Sequence, residues 1–154
     1  MEVSLVRKDM LTLPGVRVNL PSLTNKDIDD IEFAIKHDVD FIALSFVRNP
    51  KDVKELQDLL KSKKSKAKII SKIENQEGLD HIHEISQMSW GVMVARGDLG
   101  IETSLTDLPN IQRRIMYACA KWGRRSIVAT HLFCLLYTSP SPRDVEESRM
   151  PSSA

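Results

Sequence analysis

The sequence predicts an α/β fold of about four strand–helix units on a parallel sheet, and three observations carry that reading. Four short, nearly continuous apolar runs begin at Asp40 (DFIALSFV), Lys68 (KIISKI), Gly91 (GVMVAR) and Ser126 (SIVATHL), the mark of strands covered on both faces. Segments of helical period lie between them, and most carry their own start or stop signal. Strands alternating with helices in this way argue for βαβ units rather than hairpins.

The elements follow in order. Thr24 with Asp27 three residues on reads as a capping box, and Ile28, Ile31 and Ile35 then form one apolar helix face ending near His37. The Asp40–Val47 strand comes next. Asn49-Pro50 supplies a cap and a first-turn proline for a second helix, carried by Val53, Leu56 and Leu59-Leu60. After the Lys68–Ile73 strand, Gly78 to about Met88 reads as one helix, followed by the Gly91–Arg96 strand. Pro109 opens a longer helix through Ile111, Ile115, Ala118 and Cys119 to Trp122, stopped by Gly123. Ser126–Leu132 is the fourth strand.

Composition narrows the function classes. The 154 residues hold 22 Lys and Arg against 21 Asp and Glu, a formal charge of +1, so there is no global basic field for nucleic acid. Apolar residues make up 42% and charged residues 28%, ordinary for a globular domain. No run approaches the roughly 18 apolar residues of a membrane span, and the charged residues after Met1 set the expectation of no signal peptide. Cys119 and Cys134 form no metal-type spacing and no disulfide framework. A cytoplasmic location without membrane contact is the expectation. Five lysines between Lys61 and Lys68 read as a solvated helix end and loop, since no aromatics interleave.

Beyond Phe133 the pattern stops. Cys134 to Asp144 reads CLLYTSPSPRD, with two Ser-Pro steps and no period. One choice of codons makes this stretch a translated transposase-type sequencing adapter. Ser148–Ala154 (SRMPSSA) then translates the flow-cell primer behind it, with an index filling Val145–Glu147. A natural Pro/Ser-rich linker is the alternative. Residues 134–154 are therefore expected to be a non-native, disordered tail, set apart from the folded unit over 1–133.

Three strand ends carry the chemistry: Ser71-Lys72-Ile73-Glu74-Asn75, Ala95-Arg96-Gly97-Asp98-Leu99-Gly100 and Ala129-Thr130-His131. Lys72 and Glu74 lie two apart and so share a face of their strand, where burying both is costly without a partner or a task. Glu74 and Asp98, from neighbouring strand ends, suit a hard divalent ion that keeps waters and a phosphate in its shell. Lys72 beside it could stabilise charge on a transferring phosphoryl group or an enolate oxygen. Gly97 would let an anion approach backbone amides at the following turn. A purely structural ion pair among Lys72, Glu74 and Asp98, with Gly97 serving only the turn, fits the same spacing. His81 and His83 share no helix face, which favours a solvated surface over a metal site. Cys119 lies on the apolar face of its helix and reads as a small core residue.

At these segments the sequence resembles the pyruvate kinase family. The resemblance runs from Leu13-Pro14-Gly15-Val16 and Asn19–Asp27 through Ser45-Phe46-Val47-Arg48, Ile69–Gly78 and Met93–Gly100 to Ala129-Thr130. It implies a TIM-type (β/α)8 barrel, of which residues 1–133 would be a part, and phosphoryl transfer from phosphoenolpyruvate to ADP, giving pyruvate and ATP. It further implies that Lys72 stabilises the transition state and the enolate, and that Glu74 and Asp98 hold Mg²⁺ or Mn²⁺. Backbone amides around Gly97 and Asp98 would take the substrate carboxylate, and Thr130 would contact substrate near the carbon that is protonated. Active sites at the carboxyl ends of barrel strands agree with this. The family's K⁺ ligands and an arginine fall on N-terminal strands outside the matched segments, and the parent enzyme is expected to be a homotetramer. His131 stands where the family usually has Gln. A chain limited to these units is expected to be catalytically incomplete. Two other readings stand beside the first: a citrate lyase- or aldolase-like barrel that handles pyruvate with a metal, and an inert fragment. Lys72 and the whole ARGDLG segment count against the lyase reading.

Overall fold

A computed structural model describes residues 2–4, by backbone alone, together with 21–104 and 106–129. Thr130, His131 and Phe133, and the whole of 134–154, lie outside the described residues. The strands are β1 (Glu2–Ser4), β2 (Phe41–Leu44), β3 (Lys68–Ile73), β4 (Gly91–Ala95) and β5 (Arg125–Ala129). They form one sheet in the order β1-β2-β3-β4-β5, every neighbouring pair parallel. Between them run α1 (Asn25–Lys36), α2 (Pro50–Ser62), α3 (Gln76–Asp80), α4 (Ile82–Met88), α5 (Arg96–Glu102) and α6 (Leu108–Lys121). This is the α/β architecture expected of part of a barrel; among the described residues the sheet remains open.

Local chemistry explains most boundaries. Thr24 caps α1, with its hydroxyl accepting from the Asp27 N–H at 3.2 Å and the Asp27 carboxylate accepting from the Thr24 N–H at 2.7 Å. Asn49 caps α2 ahead of Pro50, and its side-chain oxygen accepts from the Lys51 N–H. Gly123 ends the α6 region with φ +60°, a left-handed conformation that glycine adopts without a Cβ penalty. The core lies between sheet and helices. Ile31, Val53, Leu56, Ile85 and Ile115 reach down from the helices to meet Ile42, Ile73 and Val92 of the sheet, all fully buried. Each such side chain contributes about 1.5–3 kcal/mol of apolar burial.

Four features depart from the sequence reading. The strand β1 is an addition: its three residues carry no period, and parallel pairing with β2 alone defines it. The helix expected over 78–88 is two helices that meet at His81, whose φ −98° and ψ +18° leave the helical region. Gly97 and Asp98, expected in a turn, lie in the first turn of α5. Most of β5 is exposed, Arg125, Ser126 and Val128 included, although its apolar run matches those of the covered strands. The lysines from Lys61 to Lys68 are all exposed, as the solvated-loop reading requires, and Cys119 is buried.

Candidate functional site

The carboxyl ends of β2, β3 and β4 bring the predicted polar residues to one edge of the sheet. Register dictates the meeting. Leu44 pairs with Ser71 and Ile73 with Val94, so Ser45 falls beside Lys72, and Glu74 lies one step beyond the last β3–β4 pair. Lys72 and Glu74 do share a side of the chain while Ile73 points into the core at 0% exposure. The Lys72 Nζ lies 2.7 Å from Glu74 Oε1, with the two side chains 17% and 1% exposed. It also donates to Ser45 Oγ at 3.1 Å.

Glu74 is held on both oxygens. Its Oε2 accepts the Phe46 N–H at 2.6 Å, fastening the carboxylate to the turn that follows β2. That turn is unusual: Phe46 has φ +53°, a conformation costing a bulky residue on the order of 1 kcal/mol or more. Its neighbour Val47 donates its N–H to the Lys72 carbonyl at 3.3 Å. Gly78 then allows the close approach of the Val47 carbonyl oxygen, since a Cβ on Gly78 would lie 2.3 Å from it. Asn75 caps α3 by accepting the Gly78 N–H at 2.7 Å. Sequence reasoning named Ser45 and Phe46 only within a resembling segment. Their nearness to Lys72 and Glu74 is a product of strand register, which a linear reading does not display.

The electrostatics follow from burial. Desolvation pushes the Glu74 carboxyl above the ordinary carboxylate range. The Lys72 ammonium and the Phe46 N–H pull the other way without overcoming it, and the nearby Asp98 charge adds to the rise. Asp98 is half-buried on the first turn of α5, and Gly97 beside it is exposed with open space where a Cβ would be. Among the described residues no group of three or more His, Cys, Asp or Glu side chains gathers to hold a metal. Two carboxylates alone fit a hard divalent cation that draws the rest of its shell from water and a substrate oxygen. A carboxylate offers about four lone-pair positions, so the Lys72 and Phe46 contacts leave Glu74 with capacity for a cation. His81 and His83 are half-buried, and His83 Nδ1 is buried without a partner. Thr130 is the residue after Ala129 in the sequence and lies outside the described residues.

No helix among the described residues is long and apolar enough to cross a membrane. The family model "Pyruvate kinase, barrel domain" matches residues 2–151. A pyruvate kinase of Staphylococcus epidermidis is 46% identical over 144 residues, covering 94% of this chain and 25% of the relative. A pyruvate kinase of Staphylococcus aureus strain MRSA252 is 45% identical over the same length and shares. The chain thus spans about a quarter of the length of the curated relatives it matches. A parallel α/β sheet with a buried Lys–Glu pair at its carboxyl edge, together with a family match over nearly every residue, establishes that this chain belongs to the pyruvate kinase family, as part of its barrel domain.

Proposed function

We propose that this segment carries half of a phosphoryl-transfer site working between phosphoenolpyruvate and ADP, with pyruvate and ATP as products. The carrying observation is the Lys72–Glu74 pair. A fully buried carboxylate raised by desolvation is an expensive feature, of a kind that well-packed apolar residues often replace at no loss of stability. In the transfer the bond from phosphorus to the enol oxygen breaks, a bond from an ADP oxygen to phosphorus forms, and the enolate left behind takes a proton. Lys72 would stabilise charge on the moving group and then on the enolate oxygen. Glu74 and Asp98 would hold Mg²⁺ or Mn²⁺, which supplies electrostatic neutralisation when bound. Gly97 has open space where a Cβ would be, and the backbone amides at the start of α5 would take the substrate carboxylate. Thr130 is assigned to the face where the enolate is protonated. K⁺, a homotetrameric parent and a cytoplasmic setting belong to the same proposal, as does the division into a barrel segment over 1–133 and a non-native tail over 134–154.

Two measurements test the reading. Mn²⁺ binding to the chain, followed by water-proton relaxation, should weaken about tenfold in both Glu74→Gln and Asp98→Asn. Residues 21–129 grafted into the Staphylococcus epidermidis enzyme, in place of the segment they match, should turn over phosphoenolpyruvate, whereas the chain alone should not. Unchanged Mn²⁺ affinity in both variants would return Glu74 and Asp98 to a structural ion-pair role.

A further inference from the structure

Among the described residues the Lys72 ammonium makes two polar contacts, and only one of them is to a charged group. Its Nζ meets Glu74 Oε1 at 2.7 Å on one side and Ser45 Oγ at 3.1 Å on the other. Ser45 is not loosely placed. The turn just after it is fixed at three points: the Phe46 N–H on Glu74 Oε2, the Val47 N–H on the Lys72 carbonyl, and the Val47 carbonyl seated over the bare Cα of Gly78. The left-handed backbone of Phe46 is what turns its N–H onto the carboxylate while Ser45 stays beside Lys72.

We propose that Ser45 is a positioning residue for Lys72. The claim rests on the reading that Lys72 serves the transferred group. An ammonium has three N–H donors. Among the described residues one goes to Glu74 and one to Ser45, which leaves the third for a substrate oxygen. With the hydroxyl gone, the ammonium is free to turn its remaining donors onto Glu74, whose charge dominates the local field. Two functions then suffer together. Lys72 points at a carboxylate instead of a phosphoryl oxygen, and Glu74 is more fully neutralised and less able to hold a cation. Ser45 acts through its contact with the Lys72 ammonium.

The test reads the lysine directly. The full chain, carrying ¹⁵N-labelled lysine, is observed by its side-chain ammonium signals at one fixed pH, with Lys72→Met identifying the Lys72 signal. We expect the Lys72 signal to shift or broaden in Ser45→Ala and to return in Ser45→Thr, with the backbone amide spectrum away from the turn unchanged. In the grafted enzyme, Ser45→Ala should lower kcat about tenfold with KM for phosphoenolpyruvate changed less than about twofold, and Ser45→Thr should recover most of the loss. A Lys72 signal unmoved in Ser45→Ala overturns the proposal. So does a spectrum that changes throughout the sheet, because that marks a packing role. If the Lys72 signal moves but Lys72→Met retains full turnover, Ser45 does position Lys72 and it is the phosphoryl-transfer reading that fails.

Discussion

Strand β3 carries two lysines, one near each end, and the molecule treats them in opposite ways. At the amino end Lys68 is exposed and lies over aromatic faces, its Nζ 5.7 Å from the Phe41 ring centroid and 5.6 Å from that of Trp90. Arg125 joins it, with Cζ 4.5 Å from the Trp90 ring, and the Phe41 and Trp90 rings tilt against each other at 4.5 Å. At the carboxyl end Lys72 is mostly withdrawn from water and faces a carboxylate that is fully buried. A cation over a ring keeps much of its hydration and returns on the order of 0.5–1 kcal/mol at an exposed site. A buried ion pair gives up hydration on both partners, and its attraction often does no more than offset that loss. The amino end is therefore built for packing. The carboxyl end holds an arrangement that stability alone would not select.

That contrast can be broken experimentally. Its largest expected consequence is kinetic: in the grafted enzyme Lys72→Met should lower turnover about a hundredfold or more, because under the proposed function the lost charge would serve the transition state more than bound substrate. Lys68→Met should change turnover less than about twofold. Steady-state assays of the two variants side by side decide it, and equal losses would erase the distinction between the ends. Next in size is Gly78→Ala, which forces a Cβ onto the Val47 carbonyl oxygen and should lower unfolding stability by about 2–3 kcal/mol in urea denaturation. An unaltered urea midpoint would mean that the turn carrying Ser45 is not pinned. Trp90→Ala should cost about 2 kcal/mol by the same measurement and leave Mn²⁺ affinity as it was, since it acts only at the amino end.

The smallest effect depends on pH. Glu74 has its carboxyl raised by burial, so the folded chain holds that proton more tightly than the unfolded chain does. Its contribution to stability is whole below the ordinary carboxylate range and is lost as pH climbs through the raised value. The metal-free wild-type chain should therefore lose stability relative to Glu74→Gln as pH rises, with a slope no steeper than about 1.4 kcal/mol per pH unit for the one group. Urea midpoints at several pH values between about 4 and 7 measure the difference. A gap that widens in favour of wild type would mean that the Lys72 ammonium, rather than desolvation, governs Glu74.

Much of this was legible in the sequence because the signals are local. Thr24-Asp27, Asn49-Pro50 and Gly123 each act through bonds or dihedrals within a few residues, and the helix ends fall where those residues stand. Lys72 and Glu74 could be paired from their spacing alone, and the 2.7 Å contact agrees. What escaped depends on neighbours distant in the chain. β1 exists through its register with β2, not through its composition. Ser45 reaches Lys72 across 27 residues, and Glu74 reaches Phe46 across 28. The break at His81 separates α3 from α4, and nothing in GLDHIHEISQM announces it. For Asp98, the Gly-Asp pair suggested a turn, and α5 begins there instead.

The order of the strands carries one more consequence. From β2 to β5, position in space repeats position in the chain, and each strand docks beside the one made just before it. No strand among these waits for a later segment to slip between it and its predecessor. During synthesis each βα unit can settle on the last as it leaves the ribosome, with loops to close no longer than one crossover. Assembly then proceeds as a growing edge, and the strand at that edge is always the newest one. Among the described residues β5 holds that place, with Val128 and Arg125 exposed, and its parallel edge is the surface on which a next unit of a barrel would be laid.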